Sequence, residues 1–254
     1  FSFGSVLYEM VTGRQAFNRE TPVQTLSSII ENEPDPFATV SPGVPAALQA
    51  VVERCLAEAG IGFFFAQTFH PSMKHAAQTR RDLGVRTAFN LLGPLTNPGG
   101  ATRQLVGVPR AEFTELLARA LMLLGAERAW VVHGADGIDE LTTTGYTKIS
   151  ECRDGAVNTF YLHPADVGLP KATLASLKGG DAHHNARIIE GILAGERGPA
   201  RDVVLLNAGA ALFISGAAAS VDQGILQASR AIDRGDAKRT LAQLVSISTG
   251  GEFV

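Results

Sequence analysis

Apolar residues recur with a helical period from Phe1 to about Glu58. Phe3, Val6, Leu7, Met10 and Val11 fall on one stripe, with Gly13 where a C-terminal cap is wanted, and they predict a first helix. Thr21 as N-cap and Pro22 at the first helical position, ahead of Leu26, Ile29 and Ile30, predict a second. Pro34, Pro36, Pro42 and Pro45 then break the chain into a loop. Leu48, Val51, Val52, Cys55 and Leu56 repeat the helical spacing and predict a third helix, opened by Pro45. Three short helices bury little core of their own.

Past Gly62 the pattern changes to helices alternating with short β-branched runs, the mark of α/β organisation. Phe113, Leu116, Leu117, Ala120, Leu121 and Leu124 give a helix face ended by Gly125, and residues 129–132 give a strand. Residues 142–152 and 156–162 read as further strands, paired antiparallel around Asp154-Gly155, a type I′ turn signal. Helices are predicted at 182–194, 203–215 and 223–234. The expected organisation is therefore two pieces: a helical segment over 1–58 and an α/β domain over 59–254, joined at about 57–61.

Composition narrows the partners. The 254 residues carry 22 basic and 25 acidic side chains, so no broad polyanion-binding surface is expected and nucleic acid is not an expected partner. Cys55 and Cys152 are the two cysteines, without a C-x-x-C pair, which excludes a zinc knuckle and a disulfide framework and suggests a reducing cytoplasm. The run 203–221 has no charge over a length that could span a bilayer, but Asn207, Gly209, Ser215, Gly216 and Ser220 dilute it; a packed α/β core is expected, not a membrane span. The start, FSFGSVLYEM, has neither an initiator Met nor a secretory signal pattern and reads as a cut chain.

The runs FSFGSVLYEMVTGRQAF, ETPVQTLSSIIENEPDPF and VPAALQAVVERCL resemble the C-terminal lobe of bacterial serine/threonine protein kinases, over about the first fifth of the chain. In that family the stretch is scaffold; the glycine-rich loop, lysine and aspartates of phosphoryl transfer lie elsewhere. Residues before position 60 hold no lysine, and their glycines are Gly4, Gly13 and Gly43, so no kinase activity is expected. The pattern stops at Arg54-Cys55-Leu56-Ala57-Glu58, which suggests a fusion of two fragments.

The remainder resembles a different family. GIGFFFAQTFHPSMKHAAQTRRDLGVRTAFNLLGPLTNPGG, VVHGADGIDELTTTG, LKGGDAHHNA and ARDVVLLNAGAAL look like anthranilate phosphoribosyltransferase, in order and over roughly three quarters of the chain. The resemblance implies an enzyme that joins anthranilate to phosphoribosyl pyrophosphate in tryptophan biosynthesis, with Mg²⁺ on the pyrophosphate and usually as a homodimer. It also implies a phosphoribosyltransferase/nucleoside-phosphorylase-like α/β domain beside a small helical one, with the active site between them. The family's GTGGD, N-x-S-T and KHGNR segments, which grip the phosphates, do not occur in these 254 residues, so half a site and no turnover are expected.

Asp139 and Glu140 follow the strand AWVV, and ligands of open α/β sheets bind outside the carboxyl ends of strands. Adjacent carboxylates there could serve as two hard oxygen ligands, or could simply solvate a loop. The resemblance implies the first, with Asp139 and Glu140 holding magnesium. It also places Arg80 as the anthranilate-binding arginine, a planar guanidinium that can take a carboxylate by two parallel hydrogen bonds. Arg81 points elsewhere on a helix. His70 and Met73 line the aromatic-acid tunnel by resemblance, although His70 also reads as a packed loop histidine. Lys178-Gly179-Gly180-Asp181 precedes a helix, but the Asp181 carboxylate suits an N-cap better than an anion site. Adjacent His183 and His184 cannot share a helix face and are a poor metal pair. Two alternatives stay open: a pyrimidine nucleoside phosphorylase, which also attacks C1 of ribose, and a non-catalytic interaction module.

Overall fold

The computed structural model describes residues 46–63, 93–95, 97 and 100–249. The chain divides into two units, Gly93–Ala242 and a second made of Phe1–Leu92 with Gln243–Val254. The first two expected helices lie outside the described residues. In the second unit the third is present as α1, Ala46–Ala59, directly after Pro45. Val52 and Cys55 are buried and Leu56 is exposed, so the apolar stripe is narrower than the spacing predicts.

The α/β unit is organised around β2, Arg128–Gly134, whose Ala129, Trp130, Val131 and Val132 are buried on both faces of a sheet. A strand covered on both sides reads as a continuous apolar run, and AWVV is one. Among the described residues the sheet has four strands, in the order β1-β2-β3-β4. β1, Arg103–Gly107, runs parallel to β2, and α2, Phe113–Leu123, makes the crossover between them. β3, Thr147–Arg153, is antiparallel to β2, and β4, Ala156–Leu162, is antiparallel to β3. The β3–β4 turn has Asp154 at φ 51° and Gly155 at φ 74°, the two positive angles that the Asp-Gly pair promised.

The expected strand over 142–152 begins only at Thr147. Residues 142–146 form an irregular loop instead. Its Thr142 and Thr144 amides bond to hydroxyls, those of Thr147 and Thr142, rather than to a neighbouring strand. A run of threonines has strand propensity, but side-chain oxygens compete for its backbone.

Opposite faces of the sheet meet different helices. On one side, Thr114, Leu117, Ala118 and Leu121 of α2 are buried, and the Ser150 hydroxyl donates to Thr114 Oγ1 at 2.9 Å and pairs with Thr159 Oγ1 at 2.9 Å. On the other, Trp130, Val132 and Ile149 join one core with α5, Pro199–Ser215, and α6, Val221–Asp233. Trp130 meets Phe160 and Phe213 edge-on, at centroid distances of 5.4 and 5.6 Å. Its indole N–H donates to Glu151, which also pairs with Arg128 at 2.8 Å. Between β4 and α5 in the chain lie the short α3, Leu174–Leu177, and α4, Ala182–Leu193. Asp181 caps α4 by accepting from the His184 amide at 2.7 Å, as its position before the helix suggested. α7, Asp236–Ser248, is the last element among the described residues.

α5 starts at Pro199, earlier than the apolar pattern placed it, and ends at Gly216 with φ 84°. Its first turn hides a charge. Arg201 is buried, donating to the Gly195 carbonyl at 3.0 Å and to Asp233 at 2.6 Å. No helix among the described residues is long and apolar enough to cross a membrane.

Candidate active site

Because β1 and β2 are parallel, their carboxyl ends, Gly107 and Gly134, open on the same side of the sheet. Two loops leave from there. The first, 108–112, is tied down by its neighbours: the Val108 carbonyl bonds to His133 Nδ1 at 2.8 Å and the Ala111 carbonyl accepts from Lys148 Nζ at 3.0 Å. A carbonyl can only accept, so the His133 proton is on Nδ1. The second loop, 135–146, carries Asp139 and Glu140, both exposed.

That loop lies hard against the end of β1. A Cβ at position 107 would sit 1.5 Å from the Asp139 carbonyl oxygen, so only glycine allows the loop to close there. Within the loop, Asp136 is half-buried and collects three donors. The Thr142 and Thr144 hydroxyls give to its Oδ2 at 2.6 and 2.5 Å, and the Ile138 amide gives to its Oδ1 at 3.3 Å. Burial is the largest single influence on this carboxyl and pushes its pKa up, but the hydrogen bonds from Thr142, Thr144 and Ile138 together outweigh it and hold the pKa below the ordinary value. Downstream of the pair, Asn207 of α5 brackets Leu141: its side-chain oxygen accepts from the Leu141 amide at 3.1 Å and its amide donates to the Leu141 carbonyl at 2.9 Å.

The structure thus brings Asp139 and Glu140 to the strand ends where the sequence placed them. Arg80, His70 and Met73 lie outside the described residues, as does Arg81. Among the described residues no three His, Cys, Asp or Glu side chains converge on a metal position. Two exposed carboxylates are too few for a closed cage and suit Mg²⁺, which keeps waters and shares its coordination with substrate phosphates. The donor set fits that cation.

Asp136, Thr142, Thr144 and Asn207 were not picked out as site residues by sequence reasoning. For Asn207 a signal existed: one amide in the apolar run VVLLNAGAALFI must find partners when buried. For Asp136 the signal was masked, because the threonines it binds look like a strand.

The family described as "Glycosyl transferase family, a/b domain" matches residues 46–238. The chain belongs to this family. The glycosyl transferase match takes in α1, which the helical pattern had assigned to the kinase-like piece. Among curated relatives, the anthranilate phosphoribosyltransferase of Azorhizobium caulinodans is 53% identical over 195 residues, covering 77% of this chain and 57% of the relative. That of Rhodospirillum rubrum is 53% identical over 198 residues, covering 78% and 57%. The chain spans under three fifths of the length of these relatives. Among solved structures, anthranilate phosphoribosyltransferase from Thermus thermophilus matches with a TM-score of 0.73 and 42% identity, covering 81% of this chain and 61% of that one. The Saccharomyces cerevisiae enzyme in complex with PRPP and Mg matches with a TM-score of 0.72 and 28% identity, covering 82% and 60%.

Proposed function

We propose that this chain carries the α/β half of an anthranilate phosphoribosyltransferase site, which moves the phosphoribosyl group of phosphoribosyl pyrophosphate to the amine of anthranilate in tryptophan biosynthesis. The observation that carries the reading is the Asp139–Glu140 pair, exposed on a pinned loop at the carboxyl ends of two parallel strands. Similarity to the enzymes of Azorhizobium and Rhodospirillum, and to the yeast enzyme bound to PRPP and Mg, supports it.

In the reaction the bond from ribose C1 to pyrophosphate breaks, a bond from C1 to the anthranilate nitrogen forms, and the amine gives up a proton. A Mg²⁺ held by Asp139 and Glu140 would neutralise charge on the departing pyrophosphate. Arg80 would take the anthranilate carboxylate through two parallel hydrogen bonds and so aim the amine, with His70 and Met73 along its path. Lacking the GTGGD, N-x-S-T and KHGNR segments, the 254 residues alone would position the sugar phosphates poorly and turn over nothing measurable. A homodimer is part of the same reading.

Calorimetric titration of the purified chain tests it. Anthranilate should bind and thymidine should not, with anthranilate binding lost in Arg80→Ala and kept in Arg81→Ala. Thymidine binding without anthranilate would favour the nucleoside phosphorylase reading. Binding of neither would favour a non-catalytic module. Equal loss in both arginine variants would mean general charge, not a bidentate clamp.

A further inference from the structure

Asp139 and Glu140 are neighbours of like charge on a loop with no strand ladder of its own, yet both flanks of the pair are fixed by side chains from outside it. Upstream, Asp136 accepts from the Ile138 amide and gathers the Thr142 and Thr144 hydroxyls, closing the loop's two arms onto one carboxylate. Downstream, Asn207 holds the Leu141 amide and carbonyl from a different element, α5. The Asp139 backbone itself rests against Gly107. Thr143, between the two hydroxyl donors, is buried with its own hydroxyl unpaired, a penalty that a loop obeying only its local preference would not carry.

We propose that Asp136 and Asn207 are positioning residues that hold the Asp139–Glu140 turn in its cation-presenting shape. The proposal rests on the reading of that pair as the magnesium-holding group. Two carboxylates on a free loop would have to be ordered against their mutual repulsion as the cation arrives; a loop ordered beforehand removes that entropy from the binding step. Groups that orient metal-holding carboxylates without touching the metal commonly change affinity by an order of magnitude or more. Asp136 and Asn207 act on opposite sides of the pair, so the loss of either loosens one flank; upstream, the Gly134 amide still donates to the Ile138 carbonyl at 2.9 Å.

The test uses Mn²⁺, an EPR-active stand-in for Mg²⁺, titrated into the purified chain, together with amide exchange over 137–141 and over α6 as an internal reference. Asp136→Asn and Asn207→Ala should each weaken Mn²⁺ binding about tenfold. Both should also speed exchange over 137–141 about tenfold while α6 is unchanged. Thr144→Val should behave like Asp136→Asn, and Thr144→Ser, which keeps the donor, like the parent chain. Unchanged exchange over 137–141, equal acceleration in α6, or unchanged Mn²⁺ affinity would overturn the proposal. The double variant Asp139→Asn, Glu140→Gln separates the two readings. If it still binds Mn²⁺, the metal assignment fails, and the exchange data alone then uphold or overturn the positioning of the loop.

Discussion

A half-buried aspartate with three donors to it is a folded-state anion, and Asp136 shows how such a group is kept charged. Burial pushes its carboxyl up, and the Thr142, Thr144 and Ile138 donors push it down further than burial raises it. A carboxyl whose folded pKa is depressed contributes stability that is present above the ordinary aspartate value of about 3.9 and is lost as pH falls through the lower folded value. The urea midpoint of the parent chain should therefore exceed that of Asp136→Asn by a constant margin at neutral pH, and the margin should narrow below about pH 4. Urea titrations between neutral and acid pH measure it; a margin that grows on acidification would reverse the sign of the argument. The same residue explains what was hidden at this scale. Asp139 and Glu140 could be read directly because two carboxylates past a strand are conspicuous, whereas Asp136 gains its meaning from two threonines that resemble the start of β3. Asn207 could be read, but only as a polar interruption of an apolar run. That its partner is Leu141, 66 positions away, is a fact of packing.

Among the elements, α5 and α6 are in close backbone contact where Gly209 faces Gly224. A Cβ on Gly224 would lie 2.3 Å from the Gly209 carbonyl oxygen and 2.9 Å from its Cα, backbone atoms that can yield only if the helices part. Gly224→Ala should destabilise the chain by about 1–3 kcal/mol. Calorimetry should record a melting temperature lower by about 2–4 °C per kcal/mol. Gly145→Ala is the contrast: its Cβ would meet only the Ala135 methyl at 3.7 Å, an ordinary contact, and the melting temperature should hardly move. Element limits were legible where capping or turn chemistry set them, as at Gly125, Asp154-Gly155 and Asp181. They were less legible where burial of a charge set them. α5 gains its first turn because Arg201 is buried with Gly195, Ser229 and Asp233 as partners, and an apolar count passes over an arginine. α7 drew no expectation although Ala237, Leu241, Leu244 and Val245 recur with a helical period; Leu241 and Val245 of that stripe stay exposed.

For the whole molecule, two observations place the start of the glycosyl transferase domain differently. The helical pattern and the kinase-like runs favour a junction at 57–61, whereas the family match begins at residue 46 and includes α1. Physical chemistry separates the two. A helix left over from an unrelated lobe would have lost the surface that its apolar stripe was shaped for, since only matched surfaces reach native packing density. It would then expose that stripe and be cut early. Within α1, however, Val52 is 6% exposed and Cys55 is 2% exposed, so the middle of the stripe is covered although Leu56 at its end is exposed. Brief digestion with a non-specific protease, followed by mass spectrometry of the stable product, should give first cuts in the proline-rich stretch 34–45 and a protected fragment that retains α1. A product beginning near Phe63 would instead place the junction at 57–61. Resistance of all 254 residues, with one cooperative unfolding transition, would mean that the first 45 residues and the family domain fold together and that the fusion reading is wrong.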